Sequence, residues 1–166
     1  MTNCILMTNM QNIITEVRNY LDKEGWKYTY NEEKHSLRTG CKIGGKLSSI
    51  NQRIIFRDTS LSIYAFAPIN ADKESRPAVM EYITRINFNI RDGCFKMDLS
   101  DGELMYQLNV NCSGVESLPE SAIEEAMLLP SFMFMKFGDG LATLMMGFSE
   151  PETEFLKATS NIEAML

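Results

Sequence analysis

Residues 85–110 read RINFNIRDGCFKMDLSDGELMYQLNV, and this stretch decides the fold. It runs from a helix end through a glycine turn into a β-hairpin. Leu104, Tyr106, Leu108 and Val110 alternate with Met105, Gln107 and Asn109, and Phe95, Met97 and Leu99 keep the same period ahead of the turn. Asp101-Gly102 lies between the two alternating runs, the pairing that closes hairpins because glycine reaches positive φ without strain.

Upstream, Val79, Ile83, Ile86 and Ile90 recur at helical spacing from a start near Asp72 or Ser75, with Pro77 in the first turn. Further back, Ile50 to Arg57 and Leu61 to Ala67 flank the polar connection Asp58-Thr59-Ser60, which predicts an antiparallel hairpin that Pro68 ends. Trp26 to Tyr30 is aromatic and β-prone, and Ser36 to Ile43 forms a second, irregular strand after the turn-rich Asn31 to Lys34. A first helix spans Thr8 to Glu24 on the stripe Met10, Ile13, Ile14, Val17 and Leu21; Thr8 with Gln11 forms a capping box, and Gly25 closes the helix.

Downstream, Ser117 and Glu120 form another capping box. Pro130 divides the helical remainder into Leu118 to Leu129 and Ser131 to Gly147, and Pro151 starts a last segment carrying Phe155, Ala158, Ile162 and Met165 at helical spacing. Helices and strands are segregated rather than alternating. The expected class is therefore α+β: an antiparallel sheet packed with N-terminal, central and C-terminal helices, in a single domain over residues 1–166 with a helical tail from about 150 to 166.

Composition sets the class of object. The 166 residues are 45% hydrophobic and 23% charged, ordinary for a globular protein that needs neither disulfide nor metal to fold. The net charge of -6 is uneven: residues 1–91 carry 13 Lys/Arg against 9 Asp/Glu, residues 92–166 only 3 against 13. An acidic half repels phosphate and the basic excess is spread thinly, so no nucleic-acid partner is expected. The same asymmetry suits self-association or a basic partner segment.

Cys4, Cys41, Cys94 and Cys112 show no CxxC and no regular spacing, which points to reduced thiols and a cytoplasmic address. The N-terminus lacks the basic start and apolar run of a signal peptide, and no window approaches a membrane span. Asn111-Cys112-Ser113 fits a glycosylation sequon but falls on an expected strand.

The order of elements, with Asn87, Gly93, Phe95, Asp98, Asp101-Gly102 and Tyr106, resembles the YbjN-like family over about Thr8 to Gly147. These are bacterial proteins associated with sensory transduction regulation, with a type III secretion chaperone-like fold. Members commonly carry a basic residue beside the aromatic, where this chain has Gln107. The resemblance implies a non-enzymatic helper or regulator, a small dimeric binder that holds a segment of another protein.

The residues themselves assemble no convincing catalytic or metal set. His35 is the only histidine, so a two-histidine zinc site is excluded by count. A thiol-dependent enzyme would have to pair His35 with Cys41 or Cys94. Asp98, Asp101 and Glu103 miss the calcium-loop spacing, and turn chemistry accounts for them. Gly138-Asp139-Gly140 lacks the preceding strand and third glycine of a dinucleotide site. No cofactor is expected.

One helical face is out of place. From Ser131, Phe134, Phe137, Leu141, Met145 and Phe148 form a core stripe, while Phe132, Met135 and Met146 fall on the opposite side near Asp139. Such residues mark either a helix buried on two sides or a surface for a second copy or a protein partner. The leading expectation is a non-catalytic, cytoplasmic, homodimeric protein-binding chain in a chaperone-like or regulatory role, using Phe132, Met135 and Met146. A small-ligand sensor with a pocket under the helices is the remaining alternative.

Overall fold

The structure, a computed structural model, describes residues 2–160, with side chains from Asn9 onward. Helix α1 spans Thr2–Lys23 and buries Met10, Ile13, Ile14, Val17, Tyr20 and Leu21. It closes as expected: Gly25 takes φ +71, and the Gly25 and Trp26 N–H groups return to the Asp22 and Leu21 carbonyls at 3.2 and 2.8 Å. Its start differs from the expectation. Thr8 lies inside the helix rather than at its start, because the chain from Thr2 already follows the helical path.

Six strands follow: β1 (Tyr28–Asn31), β2 (Ser36–Gly44), β3 (Ser48–Arg57), β4 (Ser60–Phe66), β5 (Cys94–Met97) and β6 (Leu104–Asn111). They form one fully antiparallel sheet in the order β1-β2-β3-β4-β6-β5. The β3–β4 hairpin turns on Asp58-Thr59, one residue shorter than its expected connection. In β2 the register shifts between Lys42 and Gly44, the irregularity its composition suggested.

Between β4 and β5 the chain crosses through α2 (Arg76–Asn89), which buries Val79, Tyr82, Ile83 and Ile86. Ile90 is the extended residue that ends this helix rather than part of its buried face. Helix α3 (Glu120–Met145) then runs unbroken, contrary to the expected division at Pro130. Pro130 forfeits one N–H bond to the Ala126 carbonyl, but apolar residues on both sides of it, from Ile123 and Met127 to Phe134 and Phe137, bury against the core and hold the helix through the proline. Helix α3 starts at Glu120 with Pro119 as its cap and no side-chain capping bond, so the Ser117–Glu120 box does not form. Instead Glu16 of α1 accepts the Leu118 N–H at 2.9 Å. Helix α4 (Pro151–Ser160) packs Phe155 and Ala158 against the core; Ile162 and Met165 lie outside the described residues.

Helices α1, α2 and α3 cover one face of the sheet, and α4 packs on α2 and α3. Leu37, Ile50, Ile54, Ile63, Ala65, Phe95, Tyr106 and Leu108 point into a single apolar cluster with α1, α2 and α3, while the alternate strand residues face outward. The architecture is α+β, as the pattern of elements required. None of the described helices is long and apolar enough to cross a membrane.

Candidate functional site

The fold-deciding stretch is closed upon itself. The Asn87 side chain bonds both backbone groups of Phe95, accepting its N–H at 2.8 Å and donating to its carbonyl at 2.9 Å, which occupies the outer edge of β5. Tyr106 donates its hydroxyl to the Asp92 carbonyl, and its ring meets Phe95 edge-on at 5.0 Å. Gly93, at φ +69, sits so close that a Cβ there would lie 2.5 Å from the Tyr106 hydroxyl. Burial, helped by the neighbouring Cys94 and Asp92 groups, pushes the Tyr106 phenol up to about 12.

The hairpin turn is longer than the Asp-Gly pair alone. Residues 98–103 form the loop, Leu99 is exposed within it rather than continuing the strand, and Gly102 at φ +81 lies against Ala71, whose N–H it accepts at 2.9 Å. Asp98 accepts the Ser100 N–H and hydroxyl, which hold its carboxyl below the usual range, and Asp101 accepts the Glu103 N–H. These carboxylates serve turn geometry.

Among the described side chains no thiol lies beside His35. His35 precedes β2, and Cys41 lies six residues along that strand, about 20 Å away. Cys94 stands on β5 at the far edge of the sheet, roughly 19 Å from β2 across four strand spacings. Cys41 instead contacts the Ser131 hydroxyl at 3.1 Å, which also accepts the Gln52 amide at 2.8 Å. Burial raises the pKa of Cys112, the opposite of nucleophile activation. The Cys4 side chain lies outside those described. Among the described residues no three His, Cys, Asp or Glu side chains gather as metal ligands.

The outward residues of α3 divide into two places. Phe132 and Met135 are 58% and 61% exposed and wall an open groove of about 660 Å³ between α3 and α4, rimmed by Lys46, Lys136, Asp139 and Lys157. Met146, 54% exposed, stands three turns beyond Met135, about 16 Å along the helix. Between them the β2–β3 loop rests on the helix. The Lys46 N–H donates to Asp139 at 2.7 Å, its ammonium donates to the Thr143 hydroxyl, and Leu47 packs on Gly138, where a Cβ would come within 3.0 Å. Phe148, expected in the core stripe, is 79% exposed because the helix has ended and Gly147 turns the chain away at φ +70.

The other side of α3 is buried against α2 and α4 as well as the sheet. Gly140 permits this, since a Cβ there would lie 2.3 Å from the Tyr82 hydroxyl and 3.2 Å from the Glu154 side chain. Burial alone would raise the Glu154 pKa, but hydrogen bonds from Lys157 and Ser149 outweigh it and hold the carboxyl low. Much of the circumference of the helix is thus covered, and Phe132, Met135 and Met146 remain exposed.

Neither a family model nor a curated protein matches this chain. Its shape does have a solved counterpart. The chain is similar in fold to YbjN. That protein, from E. coli and described as a candidate transcription regulator, superposes with a TM-score of 0.55 at 12% identity, covering 78% of this chain and 89% of YbjN. The likeness extends the sequence resemblance to the backbone and speaks for the fold.

Sequence reading missed the Lys46–Asp139 clamp, which joins residues 93 positions apart with no local signature. It also missed the outer face of the sheet. There the signal was present: Arg38, Lys42, Arg53 and Arg57 occupy alternate positions in strands that contain no Asp or Glu.

Proposed function

We propose that this chain is a non-catalytic, self-associating binding protein of the regulatory type, acting in the reducing cytoplasm. The observation that carries the reading is the pair Phe132 and Met135, large apolar side chains more than half exposed on a rigid helix beside an open groove. Leaving such groups in water forgoes about 1.5–3 kcal/mol for each side chain that could be buried. A twofold interface requires a patch complementary to itself, and this one has an apolar centre with both signs of charge around it: Lys46, Lys136 and Lys157 beside Asp139 and Glu154. The free thiols Cys41, Cys94 and Cys112 suit a reducing compartment. A second copy is therefore the occupant of the groove, and a dimer would present two open sheet faces to further partners.

Light scattering coupled to size exclusion tests this directly. Wild type should elute as a dimer and Met135→Asp as a folded monomer. A monomeric wild type at tens of micromolar would end the self-association reading.

A further inference from the structure

The uncovered face of the sheet has a character unlike any other surface of the molecule. Its strand residues include Arg38, Lys42, Arg53, Arg57 and Lys96, and none of the six strands contains an aspartate or glutamate, in a chain with 22 of them. Among the described residues none of these five cations has a carboxylate partner within ion-pair distance. Their neighbours are amides and rings. Across one rung the register places Arg38, Arg53, Tyr64, Gln107 and Cys94 side by side, and across the next Asn51, Phe66, Met105 and Lys96.

Hydrogen bonds organise this face. Arg57 donates to Ser62 at 2.9 Å, Ser62 to Asn109 at 2.7 Å, and Gln107 donates to Asn109 at 3.2 Å and to the Tyr64 hydroxyl at 3.3 Å. Lys96 donates to the Gln107 side-chain amide oxygen, so a cation reaches this position from β5 even though residue 107 is neutral. The Arg53 guanidinium lies 6.0 Å from the centre of the Phe66 ring. A depression of about 510 Å³ opens between Arg53, Tyr64, Phe66 and Met105, with Glu103 at its margin.

From this face we infer a binding surface for single-stranded nucleic acid. Half-buried rings interleaved with guanidinium and amide groups provide stacking platforms and base-edge partners, and the unpaired cations suit a phosphate backbone. An acidic amphipathic helix would want a continuous apolar band, but Tyr64 is flanked by Arg53 and Gln107, and Phe66 by Asn51 on one side. Duplex is disfavoured by spacing. Tyr64 and Phe66 are two residues apart on β4, about 6.8 Å, twice the rise of about 3.4 Å between stacked bases, so bases resting on both must be unstacked. A broad six-stranded face also cannot enter a groove that admits one helix or a two-stranded ribbon.

The overall charge of -6 does not oppose this. The described acidic residues lie in turns and on the helical side, and charges beyond about 8 Å are largely screened at physiological salt. The sequence expectation against nucleic acid rested on summed charge, whereas folding sorts the charges by face.

The test is fluorescence anisotropy at 50 mM salt with a labelled 12-nucleotide single-stranded RNA, its duplex, and a 12-residue polyglutamate peptide. Saturable binding of the single strand with a Kd between about 1 and 100 μM, at least tenfold weaker duplex and peptide binding, and a roughly tenfold loss in both Arg53→Glu and Tyr64→Leu would support the inference. Both variants alter the outer face, and circular dichroism would verify their folding. A third, Lys42→Glu, changes an exposed residue and should weaken binding should either of the others fail to fold. No saturable change, equal affinity for duplex or peptide, or indifference to all three variants would overturn it. The dimer reading stands or falls separately, because Met135 lies on the opposite side of the molecule from the outer sheet face.

Discussion

The hairpin region of residues 85–110 and the outward side of α3 differ in how completely they answer their own chemistry. In the first, the polar groups that would otherwise trouble an edge strand have partners within the region: Asn87 for both backbone groups of Phe95, Asp92 for the Tyr106 hydroxyl, Asp98 and Asp101 for the turn. In the second, Phe132 and Met135 face water. Phe88 and Leu99 of the first region are exposed as well, but singly and away from any groove, whereas Phe132 and Met135 line one together. Paired polar groups hold the fold, and an apolar pair beside an open groove is where binding has something to gain. Recognisable residues here belong to the first kind, which is why the family-like positions illuminate architecture more than activity.

Breaking the closed region should cost most at Gly102. An alanine there would place Cβ 1.8 Å from the Ala71 carbonyl oxygen in a backbone at φ +81, so Gly102→Ala should destabilise by about 3 kcal/mol or more, read as a drop in the urea midpoint. Retention of wild-type stability would show that the turn can move away from Ala71. Next in size, Asn87→Ala strips two bonds from Phe95 at once. We expect a loss of about 1–3 kcal/mol and faster amide exchange along β5, with α3 exchange unchanged.

A titration sharpens the same contrast. Tyr106 ionises near 12 in the folded chain instead of near 10, so it contributes stability in full below pH 10 and loses that contribution as pH rises from 10 through 12. The slope should be at most about 1.4 kcal/mol per pH unit for this group. Tyr82, buried beside Gly140 and facing Glu154 and Asp139, is raised further and adds in the same direction. Absorbance at 295 nm should show late phenolates that appear together with unfolding. Their appearance in a still-folded protein would mean that these hydroxyls are more hydrated than their burial indicates.

How much of this was legible depends on how local each signal is. Periodicity located α1, α2 and the β-hairpins, and Gly25 marked its helix end, because each concerns residues within one or two turns of one another. Pro130 misled for the opposite reason: proline is a local breaker, but the decision was made by core contacts on either side of it. Phe148 misled because a helical wheel assumes the helix continues, and Gly147 ends it. The divided face of α3 was illegible, since the Lys46 loop that parts Met135 from Met146 arrives from a strand turn 93 residues away. The outer sheet face was legible in principle. It needed the strands to be read for the absence of carboxylates rather than for the presence of a motif.

The smallest expected effect on stability is also the most telling about function. Phe132 and Met135 contribute little to the monomer core, so Phe132→Ser and Met135→Ser should each change unfolding free energy by no more than about 0.5 kcal/mol at low protein concentration. If a second copy covers them, the same variants should lower the melting temperature of concentrated samples and abolish its dependence on concentration, because association stabilises only the species that can associate. Met146→Ser should do neither, for Lys46 and Leu47 stand between it and the groove. A loss of several kcal/mol in dilute Met135→Ser would place that side chain with the core. The contrast between a closed hairpin and an open helix face would then be wrong at its open end.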